Sequence, residues 1–378
     1  MKKAIAGYVA SVVVMLLALA GCTNTEPSDQ GATATPPSTE APLSPAPDDT
    51  LNRPAGTPEA LASNLEAPWS IARFDDDSAL ISQRDTGSVI EVDVTGTTRE
   101  AGIISNVAPK GEGGLLGIAL NPDDPDGLYA YYTSSTDNRV VRIPLLGERG
   151  NRTLGEPTPL LTDIPKASIH NGGRIAFGPD GTLYIATGDA GNPQDAQNPE
   201  SLAGKILRIN ADGSVPADNP LPGSAVYTLG HRNVQGLAWT SDGRMWASEF
   251  GQGTWDELNL IKAGDNYGWP EVEGSAGTSS FHDPVAQWKT EEASPSGLAA
   301  IGNTLFMASL RGERIWVIDV SQQEAKTEAW FNGDYGRIRD VVAGPGESLW
   351  FITNNTDGRG TPDAQDDTLY SIEISSSD

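Results

Sequence analysis

Only three histidines, His170, His231 and His282, occur among the 378 residues of this chain. Two of them stand in glycine-rich connections with arginine close by: Ser168-Ile169-His170-Asn171-Gly172-Gly173-Arg174 and Gly230-His231-Arg232-Asn233. A third connection, Gly336-Arg337-Ile338-Arg339-Asp340, carries arginines without a histidine. An imidazole is the side chain that takes up a proton near neutral pH, so His170 is a candidate general base. Arginines gathered around one cavity call for an anion, and carboxylates suit their fork geometry. Asp189, in Thr187-Gly188-Asp189, follows His170 by one strand. A carboxylate at that place would orient the ring and raise its basicity. Taken singly, each has a plainer explanation. A loop histidine is more often a surface or core residue, Arg-x-Arg on a strand is usually a solvated face, and Asp after Gly is usually a turn former. They make a site only if the fold gathers them.

One short phrase recurs along the chain and supplies such a fold. It is a turn of Asp, Gly, Asn or Pro followed by apolar or alternating strand residues. Copies lie at 74–81, 121–131, 177–186, 241–248, 301–308 and 344–352; the clearest reads Gly178-Pro179-Asp180-Gly181-Thr182-Leu183-Tyr184-Ile185-Ala186. Their spacing, roughly 40 to 60 residues, is that of propellers and solenoids, and about 54 residues per copy suffice for four short strands and their loops. No helical period keeps step with the strands, which argues against a βα barrel. The reading is all-β: a six-bladed β-propeller of four-stranded antiparallel blades over 58–378, with a β-sandwich array as the alternative. Equivalent loops of neighbouring blades should meet at one mouth of the central channel.

The first residues read as a processing signal. Lys2 and Lys3 precede an apolar run from Ala4 to Ala20, which ends in Leu19-Ala20-Gly21-Cys22. Residues 22–57 are rich in Pro, Ser and Thr and read as a disordered tether. Cys22 is the only cysteine, so disulfides cannot hold the domain. The net charge of −26 excludes the basic footprint that nucleic acid requires and suits a solvated extracellular surface.

Leu-Ala-Gly-Cys resembles the lipobox of bacterial lipoproteins. That resemblance implies a signal peptide over 1–21, export, and a lipid on Cys22 as the sole attachment to the membrane. Over about 65–374 the chain resembles the soluble PQQ-dependent glucose dehydrogenase and aldose sugar dehydrogenase family, also called the glucose/sorbosone dehydrogenases. The motifs are Gly111-Glu112-Gly113-Gly114-Leu115-Leu116-Gly117, His170-Asn171-Gly172-Gly173-Arg174, Gly230-His231-Arg232-Asn233, Asp256-Glu257-Leu258-Asn259 with Asn266-Tyr267-Gly268-Trp269-Pro270, and Arg337-Ile338-Arg339-Asp340-Val341. The resemblance implies oxidation of an aldose at C1 to the lactone, with hydride passing to PQQ. His170 would be the general base and Asp189 its assisting carboxylate. Arg232, Asn233, Arg337 and Arg339 would hold the quinone, with Arg311 where the glucose dehydrogenase branch has lysine. Gly251 and Gln252 would hold Ca²⁺ through backbone carbonyls, preceded by Phe250 in place of a polar residue. Glu112 would contact the sugar. The sugar itself and the electron acceptor stay open.

Two other readings are kept. One is a non-catalytic cell-surface propeller that binds carbohydrate or protein. The other is a lactonase-like metal hydrolase, which needs a set of Asp, Glu and Asn ligands about the axis that these motifs do not assemble.

Overall fold

Turn residues set where the strands begin. In the computed structural model, which describes residues 51–322 and 324–377, every copy of the repeated phrase is the hairpin between the first and second strands of a sheet. The six pairs are Pro68–Arg73 with Ala79–Gln83, Leu115–Asn121 with Asp124–Thr133, Ile175–Phe177 with Leu183–Ala186, Val234–Trp239 with Met245–Glu249, Pro295–Ile301 with Thr304–Ser309, and Ile338–Ala343 with Ser348–Thr353. In the clearest copy Asp180 Oδ1 accepts the Thr182 N–H at 3.1 Å, and Gly181 takes a φ of +74° that a side chain would resist.

Each hairpin continues into a third and a fourth antiparallel strand, giving the six-bladed β-propeller that the repeats imply. The second blade carries one extra short strand, Thr153–Leu154. First strands of adjoining blades lie side by side and line the central channel. The core lies between blades. Trp69, Tyr129, Tyr131, Ile185 and Leu207 belong to one buried cluster, and Leu80, Val89, Leu128 and Val141 to another. A single blade could not bury these side chains alone, so the ring forms as a unit.

The sixth blade corrects the expected boundary at residue 58. Its outermost strand is Leu51–Ala62, paired antiparallel to Leu369–Ser377 from Leu51↔Ser377 to Ala62↔Leu369. Residues 51–57, read as tether, are therefore sheet. Pro54 is tolerated because the strand is an edge, and register shifts after Ala55 and Ala60 absorb the irregular sequence. The signal, Cys22 and the tether up to residue 50 lie outside the described residues. Among the described residues, no helix is long and apolar enough to cross a membrane.

Candidate active site

Strand direction alternates within a blade. Loops that enter a first strand and loops that join a second strand to a third therefore open on the same rim. His170, Arg232 and Arg337 come from the first kind of loop; Asp189, Gly251, Gln252 and Arg311 come from the second. Arg339 is the second residue of its first strand.

His170 sits in a left-handed backbone conformation, φ +55°, which is uncommon for a residue with a β-carbon. The loop is fastened from several sides. Glu112 Oε2 accepts the His170 N–H at 2.7 Å, Asn233 Oδ1 accepts the Gly172 N–H at 3.0 Å, and the Asn171 carbonyl accepts the Tyr131 hydroxyl at 2.8 Å. Gly188 has no room for a side chain, because a β-carbon there would meet the His170 carbonyl. The imidazole is mostly buried. Its Nδ1 is 2.7 Å from Asp189 Oδ1, and its Nε2 is 2.8 Å from Arg232 Nη2.

Those two contacts fix the tautomer. Arginine can only donate, so Nε2 is the acceptor and Nδ1 carries the proton toward Asp189. Asp189 is fully buried and also accepts from the Gly191 N–H at 2.8 Å and the Trp269 indole N–H at 2.9 Å. Burial alone would raise its pKa. The hydrogen bond from His170, with those from the Gly191 and Trp269 donors, outweighs burial and holds the carboxyl below its ordinary value. The result is an imidazole whose Nε2 lone pair is held by Arg232 and whose Nδ1 proton is backed by an ionised carboxylate.

The axis is strongly cationic. Arg339 donates to Gln235 Oε1 at 2.8 Å and Ser296 Oγ at 3.2 Å, and Arg337 donates to Asp357 Oδ2 at 3.1 Å. Arg174 lies beneath, bonded to Asp340 Oδ2 at 3.0 Å, with its guanidinium 4.5 Å from the Trp69 ring. Burial lowers the Arg339 pKa, partly opposed by Asp357, and neighbouring Arg337, Arg84 and Arg174 lower it further. Among the described residues, four buried nitrogens of these arginines and of Arg232 have no partner: Nε of Arg232, Arg337 and Arg339, and Nη2 of Arg174. Buried donors of this kind are costly to leave unpaired, so the cluster suits a polyanion.

Beside it, Gln252, Gly253, Thr254 and Trp255 all turn their backbone N–H groups onto Glu273 Oε1, at 2.7 to 3.2 Å. Asp256 Oδ1 accepts the Gly251 N–H at 2.8 Å. A β-carbon on Gly251 would meet the Trp255 carbonyl, so the loop cannot relax around a larger residue. Neither the Gly251 nor the Gln252 carbonyl accepts a hydrogen bond from the described residues. Oxygen atoms of this kind suit Ca²⁺.

Not every candidate joins the cluster. Arg311 stands exposed in its rim loop, and Asn233 spends its side-chain oxygen on the His170 loop. Glu112 bonds to His170 and to Arg359 Nη2 at 3.2 Å. His231 is fully buried, between Glu249 Oε2 and Thr228 Oγ1 and stacked on Tyr267, so it is scaffold. His282 pairs with Asp265 at 2.9 Å. Sequence reasoning gave no role to Trp269, Arg174, Gln235 or Glu249. The first two stood inside quoted motifs, the only sign they offered.

The loop after Asp189 is held by Lys205, whose fully buried Nζ donates to the carbonyls of Asp195, Ala196 and Ala203 at 2.7, 3.0 and 2.7 Å. A Lys205→Met substitution keeps the bulk and strands all three acceptors. It is expected to cost about 2–4 kcal/mol of unfolding free energy by denaturant titration.

The chain is similar to known sugar dehydrogenases. The family model for glucose/sorbosone dehydrogenase matches residues 65–362. Quinoprotein glucose dehydrogenase B of Acinetobacter calcoaceticus is 33% identical over 59% of this chain and 54% of its own length. Aldose sugar dehydrogenase YliI of Escherichia coli is 28% identical over 79% of this chain and 90% of its own. Among solved structures, the PQQ-bound aldose sugar dehydrogenase of Streptomyces coelicolor superposes with a TM-score of 0.82 at 48% identity, covering 87% of this chain and all of that one.

Proposed function

The chain belongs to the glucose/sorbosone dehydrogenase family, and we propose that it is a PQQ- and Ca²⁺-dependent aldose sugar dehydrogenase that oxidises the sugar at C1 to the lactone. The observation that carries the proposal is the His170–Asp189 pair beside buried arginines with unspent donors.

When bound, PQQ supplies the acceptor for the hydride that leaves C1, and Ca²⁺ makes it a better one. Arg232, Arg337 and Arg339 would hold its carboxylates, with Asn233 behind them and Arg311 at the rim. The Gly251 and Gln252 carbonyls would hold the cation. His170 Nε2 takes the proton of the C1 hydroxyl, so that the C1–O bond gains double-bond character as the hydride departs. Asp189 keeps the Nδ1 proton in place and stabilises the imidazolium that forms. Arg232 must turn from the imidazole toward an anion for Nε2 to act, and a carboxylate of the quinone would be such an anion.

We also keep export and anchoring through lipid on Cys22 as part of the proposal, because Leu19-Ala20-Gly21-Cys22 follows a basic head and an apolar run.

Reconstitution is the test. The purified protein, supplied with PQQ and Ca²⁺, is expected to retain the quinone through desalting and to reduce an artificial dye when given aldoses. Failure of both, with every sugar tried, would leave the binding-module reading in its place.

A further inference from the structure

We propose that Glu112 is a positioning residue for the base, braced by Arg359, and not primarily a contact for the sugar. The kinetic half of this inference rests on the dehydrogenase reading above; the structural half does not.

His170 needs such a brace. A non-glycine residue in the left-handed region carries a cost on the order of 1–3 kcal/mol and persists only where its surroundings over-determine it. The His170 carbonyl accepts from the Ala190 N–H at 3.1 Å, and its own N–H donates to Glu112 Oε2 at 2.7 Å. Glu112 grips the same turn a second time, since its backbone N–H donates to the Ser168 carbonyl at 2.9 Å. One residue therefore holds both ends of Ser168-Ile169-His170. The strand that follows Glu112 belongs to the second blade, and His170 enters the third, so this grip spans a blade boundary.

The other carboxylate oxygen is taken too. Glu112 Oε1 pairs with Arg359 Nη2 at 3.2 Å, and Arg359 comes from the sixth blade. Its backbone N–H donates to Asp357 Oδ1 at 2.9 Å, while Asp357 Oδ2 accepts from Arg337 at 3.1 Å. The chain of contacts runs from an axial arginine, through Asp357, Arg359 and Glu112, to the backbone of the base. The Arg359 side chain is 53% exposed and that of Glu112 24%, so the ion pair adds little stability. What it fixes is the direction of one carboxylate.

The experiment separates positioning from sugar contact. Glu112→Ala is expected to lower kcat about 10- to 100-fold, with KM changed less than about twofold, because the base is misaligned while the sugar site is intact. Glu112→Gln keeps an acceptor for the His170 N–H and should restore kcat to within about two- to fivefold of the wild type. Arg359→Ala should match Glu112→Gln, and the double variant should lose nothing further. Site-resolved amide exchange on the purified protein reads the same brace without turnover. The His170 amide should exchange about tenfold faster or more in Glu112→Ala and only modestly faster in Arg359→Ala. A raised KM at unchanged kcat would make Glu112 a sugar contact and overturn the proposal. Unchanged His170 exchange in Glu112→Ala would overturn it as well, even if the wild type oxidised no sugar. Absence of wild-type turnover with the expected exchange pattern would fault the dehydrogenase reading alone.

Discussion

His170→Ala is expected to lower kcat on the order of 10²–10⁴-fold, the usual contribution of a general base, while PQQ retention stays at the wild-type level. The imidazole contacts Asp189 and Arg232 and bears none of the unspent donors at the axis. Removing it deletes the proton acceptor for the C1 hydroxyl and leaves Arg337 and Arg339 in place. Alanine fits the left-handed backbone less readily than histidine does, but its N–H still reaches Glu112 to hold the turn. The measurement is steady-state dye reduction beside a quinone titration on the same preparation. Wild-type turnover in the variant would remove His170 from the chemistry, and lost quinone retention would assign it a cofactor role instead.

Asp189→Asn should have the second largest effect, with kcat down on the order of 10²-fold at little change in shape. Asp189 accepts three N–H groups, from His170, Gly191 and Trp269. An amide has one acceptor oxygen and one donor nitrogen, so an N–H must now face an N–H. If the nitrogen faces His170, the ring must carry its proton on Nε2 and ceases to be a base. If it faces Trp269, the tautomer survives, but the negative charge that stabilises the imidazolium is gone. The pH dependence has a definite sign. Because the folded state holds Asp189 below its ordinary value of 3.8, its contribution to stability is complete above that pH and fades as pH falls through the lower folded value. The stability gap between wild type and Asp189→Asn should therefore narrow below about pH 4 in denaturant titrations.

These expectations rest on a site that was partly legible in the residues alone. The repeated turn of Asp, Gly, Asn or Pro located all six first hairpins, because a tight turn restricts its residues locally. Knowing the repeat, one can place His170, Arg232 and Arg337 on one rim without coordinates, since each precedes a first strand. Long-range pairing was not legible. Leu51–Ala62 contains Pro54 and no clear alternation, and its strand character comes from a partner at the far end of the chain. Trp269 touches Asp189 across 80 positions, and Gln235 links Arg174 to Arg339 through its backbone on one side and its amide on the other. No local pattern announces such bonds. Glu112 shows the converse, a residue whose family position suggested the sugar and whose hydrogen bonds lead to the base.

Pairing Leu51 with Ser377 leaves the first and last described residues as neighbours on a single edge. A circular permutant that joins these ends through a short linker and opens at another inter-blade loop should retain the ring. Fusions at the carboxyl end, by contrast, would emerge against the strand that zips the circle shut. Trimming that final strand would also release Leu51–Ala62, which among the described residues has no other partner in its sheet.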